Sequence, residues 1–140
     1  MSVPGFEIVE HTADIGIRVR GRNPKELFIN AALGMCAIMT DPARVSPDRV
    51  EPIEVEAESL PELLVAWLNE IIYMIEAKEM LFSHYEIASL TPTRLAGTIA
   101  GETFDPDKHD LKIQIKACTY HELKVGKENS NWFGQVIFDI

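Results

Sequence analysis

Cysteine is too sparse here to build a disulfide framework: the chain holds only Cys36 and Cys118, at no suggestive spacing, and both read as thiols. Long apolar runs are missing, so no segment of the sequence offers a membrane-spanning helix. The opening Met-Ser-Val-Pro-Gly-Phe-Glu lacks the basic and apolar regions of a signal peptide, and a cytoplasmic protein is the expectation. Positive charge is short as well. With 13 basic against 22 acidic residues the net charge is −9, so the average field repels nucleic acid. If RNA is involved, a partner must hold its phosphates, and the chain itself is steered toward cations and basic protein surfaces. Also absent are a P-loop, a dinucleotide glycine fingerprint, an aromatic-interleaved basic patch, an internal repeat and a low-complexity tract.

What is present is an ordinary globular composition. The 140 residues, 46% hydrophobic and 25% charged, suit one domain over 1–140. Phe6 to Val9 reads as a short strand or an extended lead-in. Ile15, Ile17 and Val19 alternate with Gly16, Arg18 and Arg20, which is the period of a half-buried strand. Asn23-Pro24-Lys25-Glu26 carries N-cap, first-position proline and capping-box glutamate for a helix running to about Met39. A loop over 43–48 leads to a strand at Val50 to Ala57, with Glu54 and Glu56 on its solvated face. Ser59-Leu60-Pro61-Glu62 repeats the helix-start logic. It opens a helix to about Glu79 whose wide apolar stripe, Leu63 to Ile75, is core.

From Leu81 onward the pattern is all strand, with segments at Phe82 to Leu90, Arg94 to Glu102, Leu111 to Cys118, Tyr120 to Val125 and Trp132 to Ile140. Lys127 to Asn131 reads as a hairpin turn. The expected class is α+β: β-α-β-α and then several strands, an antiparallel or mixed sheet with two helices packed on it.

Three segments concentrate functional side chains: His11-Thr12-Ala13-Asp14, Lys116 to Lys124, and Phe138-Asp139-Ile140. Asp14 is either a plain turn acid or a carboxylate oriented by His11 and Thr12. Unbroken alternation through the second segment puts Cys118, Tyr120 and Glu122 on the polar face of Lys116, and a buried His121 on the face of Leu123. A bulge near Cys118-Thr119 changes which of them meet, and periodicity leaves the choice open. Asp139 closes a strand that is apolar on both faces, where a carboxylate calls for a cation or hydrogen-bond donors unless it frays into water. Asp14, Glu122 and Asp139 together form a hard oxygen set suited to Ca²⁺, Mg²⁺ or Mn²⁺. Zinc is disfavoured because Cys118 and His121 are the only close soft pair, and a Cys118–His121 nucleophile needs a bent backbone.

Taken in order, His11-Thr12-Ala13-Asp14-Ile15-Gly16, Leu63 to Tyr73, Lys116-Ala117 with Thr119-Tyr120-His121, and Phe138-Asp139-Ile140 resemble the archease family over essentially the whole chain. The resemblance implies an archease-like fold and a non-catalytic activator of a GTP-dependent RNA-splicing ligase. Such an activator promotes guanylylation of the ligase and repeated turnover in tRNA splicing and RNA repair, and touches RNA only through the ligase. It implies a divalent ion, calcium foremost, with magnesium or manganese as alternatives. The implied ligands are Asp14, Glu122, Asp139 and Ile140, supported by His11, Thr12, Lys116, Tyr120 and His121. Two other readings use the same acids: a stand-alone metal-dependent phosphoester hydrolase with His11 or His121 as acid or base, and a docking patch that binds no ion.

Overall fold

The computed structural model describes residues 5–10 and 14–140, and in it the period-two segments become seven strands and the two amphipathic stretches become helices. The order is β1 (Phe6–Glu10), β2 (Asp14–Gly21), α1 (Pro24–Met39), a 3₁₀ turn (Pro42–Arg44), β3 (Arg49–Glu56), α2 (Leu60–Lys78), β4 (Met80–Thr91), β5 (Arg94–Thr103), β6 (Ala117–Glu128) and β7 (Asn131–Asp139). The α+β expectation holds, with a refinement. The strands divide into two antiparallel sheets, β1-β2-β7-β6 and β3-β5-β4.

Helix α1 packs on β2 and β4, and α2 on β6 and β3, so both helices bridge the two sheets. One hydrophobic core runs through the interior, and Trp67 sits fully buried within it. Its indole N–H donates to the Phe28 carbonyl at 2.9 Å, and its ring meets Tyr85 edge-on at 6.2 Å.

The helix starts follow the local chemistry of the sequence. Asn23 and Ser59 accept from the N–H groups of Glu26 and Glu62. The reciprocal half of the first capping box differs from expectation: the Glu26 carboxylate accepts from the N–H and guanidinium of Arg22, not from Asn23. Helix α2 stops where Glu79 turns left-handed, at φ 51°.

The stretch Leu111 to Cys118 departs from the expected strand. Regular pairing begins only at Ala117, because the partner β7 ends opposite it at Asp139. Burial still alternates through 112–116, so period two correctly reports one buried face there, although Leu111, expected on that face, is exposed. A ladder, however, needs a neighbour as well as a pattern. The expected Tyr120 to Val125 strand is likewise part of one long β6, which contains an irregularity taken up below.

Candidate functional site

Strands β2 and β7 place Asp14 directly opposite Asp139, and Ala117 of β6 flanks Asp139 on its other side. Directly opposite positions in an antiparallel pair lie about 4.5–5.5 Å apart at Cα. Two like charges there oppose pairing unless something compensates them. The Asp14 Oδ1 is buried and has no hydrogen-bond partner among the described residues. A buried carboxylate oxygen without a donor is costly, and a cation is the natural means of satisfying it. Lys116 holds the other side of the pair through its backbone: its N–H donates to the Asp139 carbonyl at 2.9 Å.

Glu122 stands apart from this pair. Between Thr119, opposite Ile137, and Lys124, opposite Gln135, β6 takes five steps while β7 takes two, so Tyr120 to Leu123 bulge from the ladder. Glu122 sits in this bulge with φ 50°, in the left-handed region. Its carbonyl accepts from the Gln135 side chain at 3.0 Å, and it lines a small cleft of ≈ 40 Å³ with Gly16, Arg18, Gln135 and Ile137. Among the described residues no three His, Cys, Asp or Glu side chains converge closely enough to form a metal cluster. The structure thus brings Asp14 and Asp139 together without bringing Glu122 onto them. Ile140 is half-buried, its side chain against the core. His11 and Thr12, expected to support Asp14, lie outside the described residues.

The faces of β6 also differ from the expected alternation, at Cys118 ahead of the bulge and at His121 within it. Cys118, expected on the polar face, is buried, whereas His121, expected inside, is exposed beside Tyr120, which is 65% exposed. Thr119 braces the turn: its hydroxyl donates to the Ile137 carbonyl at 2.8 Å and accepts from the His121 N–H at 3.2 Å. Burial pushes the Cys118 thiol up to about 12, so it is neither a thiolate nor aligned with His121. Nucleophilic catalysis by that pair has no geometric basis.

One site residue escaped the sequence reading. Asn69, on α2, donates its amide to the Cys118 carbonyl at 3.0 Å and accepts the Cys118 N–H on Oδ1 at 2.8 Å. Its side chain takes the place of a missing neighbour at the outer edge of β6, just before the bulge. The available signal was the one side-chain amide of α2, in Leu68-Asn69-Glu70-Ile71, beside its wide apolar stripe.

Chemically, the arrangement is a carboxylate pair at the end of a sheet, suited to a hard divalent ion. Asp14 and Asp139 would hold that ion; other oxygen donors would have to complete its shell.

Comparison with known proteins follows the same lines. Residues 6–140 match the model of the Archease protein family. The chain is 37% identical over 139 residues to a protein archease of Sulfurisphaera tokodaii, covering 96% of this chain and 98% of that one. Against a protein archease of Methanopyrus kandleri it is 37% identical over 138 residues, covering 96% and 99%. The solution structure of protein 1598 of Methanobacterium thermoautotrophicum superposes with a TM-score of 0.82 at 30% identity, over 99% of this chain and 100% of that one. A Thermotoga maritima crystal structure described as an archease and possible chaperone shares the fold, with a TM-score of 0.64 at 22% identity over 100% and 98% of the two chains.

Proposed function

The chain belongs to the archease family, and from that premise we propose that it is a non-catalytic accessory protein that activates a GTP-dependent RNA-splicing ligase. It promotes guanylylation of the ligase and its repeated turnover in tRNA splicing and RNA repair. It works in the cytoplasm and meets RNA only through its partner. The observation that carries the reading is the opposed pair Asp14 and Asp139, with a buried oxygen that has no partner among the described residues. A divalent ion, calcium before magnesium or manganese, supplies the compensating charge and can offer coordination positions to oxygen atoms of a partner.

The chain's own residues then have separable tasks. Asp14 and Asp139 provide the anionic ligands, and the Lys116 N–H fixes the backbone at Asp139. The Thr119-braced bulge projects Tyr120 and His121 outward from the same sheet. A net charge of −9 complements a ligase surface that is positive in order to hold RNA, which speeds encounter and sets orientation.

The test is guanylylation and multiple-turnover ligation by the cognate ligase, with and without this protein, alongside the protein alone. Stimulation by the parent, lost in Asp139→Ala, is the expected result. Equal stimulation by Asp14→Ala and Asp139→Ala would remove the pair from the mechanism. Phosphoester turnover by the protein alone would replace the accessory role with a hydrolase.

A further inference from the structure

Just before β6, the chain offers an unpaired edge beside an apolar cleft. The cleft, of ≈ 450 Å³, lies between the last turns of α2 and residues 111–115, with Met39, Ile72 and Ile75 among its apolar walls and Glu76, Lys112 and Gln114 as its polar lining. Burial alternates along 112–116, with half-buried Ile113 and buried Ile115 between exposed neighbours, while Leu111 is itself exposed.

The backbone of this segment is half used. Lys112 donates its N–H to the Met39 carbonyl, and Lys116 to that of Asp139, each at 2.9 Å. At the two-residue spacing of an extended chain those donors share one edge. The N–H and C=O groups of Leu111, Ile113 and Ile115 belong to the other edge; those of Leu111 and Ile113 are accessible and not hydrogen-bonded to protein among the described residues, whereas Ile115 is buried. An apolar wall beside free main-chain donors and acceptors is the combination by which an extended peptide is recognised as an added strand.

We infer that residues 111–115 and the α2 cleft form a strand-addition site for an extended segment of a protein partner. That segment carries apolar side chains at alternate positions and a lysine or arginine placed to meet Glu76. Three observations select this occupant. The unpaired edge asks for extended backbone, the Met39, Ile72 and Ile75 walls for every second side chain to be apolar, and the net charge of −9 for a basic partner. A second copy of this chain meets repulsion from its own equal charge. Because Lys116 ties the end of this segment to Asp139, a strand docked here lies against the stretch that leads directly to the carboxylate pair. The inference rests on the accessory-protein reading and supplies the surface by which that partner is held.

Hydrogen exchange of the full chain, free and bound to the ligase, tests it. The Leu111 and Ile113 amides should exchange freely in the unbound protein and at least 10-fold more slowly in the complex. Leu111→Asp, at a side chain that is 53% exposed, should weaken ligase binding at least 10-fold with an unchanged thermal unfolding midpoint. Ile113→Pro, which deletes an edge N–H, should weaken it more than Ile113→Ala, which keeps one. If the ligase is stimulated while the Leu111 and Ile113 amides stay unprotected and Leu111→Asp binds like the parent, the strand-addition site is wrong and the accessory role stands. If the ligase is neither bound nor stimulated, both fall.

Discussion

Asp14 is the residue on which the proposed metal chemistry turns. It stands directly opposite Asp139 in an antiparallel pair, and one of its carboxylate oxygens is buried without a donor among the described residues. The pair should therefore limit the stability of the ion-free protein and be its largest source of metal-linked stabilisation. Calcium at about 100 times its dissociation constant should add about 2.7 kcal/mol, which for a chain of this size raises the unfolding midpoint by roughly 5–10 °C. Asp14→Asn should abolish that shift and, in chelator, unfold no lower than the parent, because it removes the like-charge repulsion. Calorimetry with calcium and with EDTA separates the cases; an equal calcium response in Asp14→Asn would exclude the pair as the ion's site.

At the scale of elements, the informative pieces are the edges of sheets. The outer edge of β6 at Cys118 is completed by the Asn69 amide. Asn69→Ala should cost about 1–3 kcal/mol in urea denaturation, since it leaves the backbone N–H and C=O of Cys118 unpaired. The same change should lower ligase stimulation by loosening the entry to the bulge. A loss below about 0.5 kcal/mol would show that water replaces the amide without penalty.

The loop after β5 is fastened by a different device. Glu102 accepts from Lys108, the Ser46 N–H and His109, whose Nδ1 accepts from the Asp105 N–H while its ring stacks on Phe104. These donors, Lys108 foremost, hold the Glu102 carboxyl down at about 2. A depressed folded-state value means stability that is fully present above the unfolded-state value of about 4.3 and is lost as pH falls toward 2. Glu102→Gln should therefore flatten the acid limb of the stability–pH curve between pH 4.5 and 2 and leave its slope near neutrality unchanged. An acid limb identical to the parent's would show that other carboxylates govern it.

For the whole molecule, the design is two sheets joined by two helices, with the Asp14–Asp139 pair at one end of the larger sheet. Trp67 ties this together, because its N–H reaches the Phe28 carbonyl on α1 while its ring meets Tyr85 on β4. Trp67→Phe removes the donor and leaves a void in a close-packed interior. It should cost about 2–4 kcal/mol by chemical denaturation, with the circular dichroism spectrum retained. A loss under 1 kcal/mol would mean that the core repacks around the smaller ring. The acidic surface belongs to this scale too, since its field acts on a partner before any contact forms.

Much of this was legible in the chain. Both helices, their asparagine and serine caps, the alternation of β2, the two-faced apolar run of β7 and the final hairpin are local consequences of 3.6- and two-residue periods and of capping chemistry. The ordered motifs marked Asp14, Glu122 and Asp139 as a candidate set. Tertiary structure alone decided that Asp14 and Asp139 stand opposite one another, because strand pairing is a long-range choice that no local period encodes. It also decided that Glu122 stands off in a bulge, that His121 is out and Cys118 in, and that 112–116 keeps a strand's alternation without a strand's neighbour. Alternation records which side of a chain is dry. Which backbone lies beside it, and how many residues bulge from the ladder, depends on where the partner strand runs and where it stops.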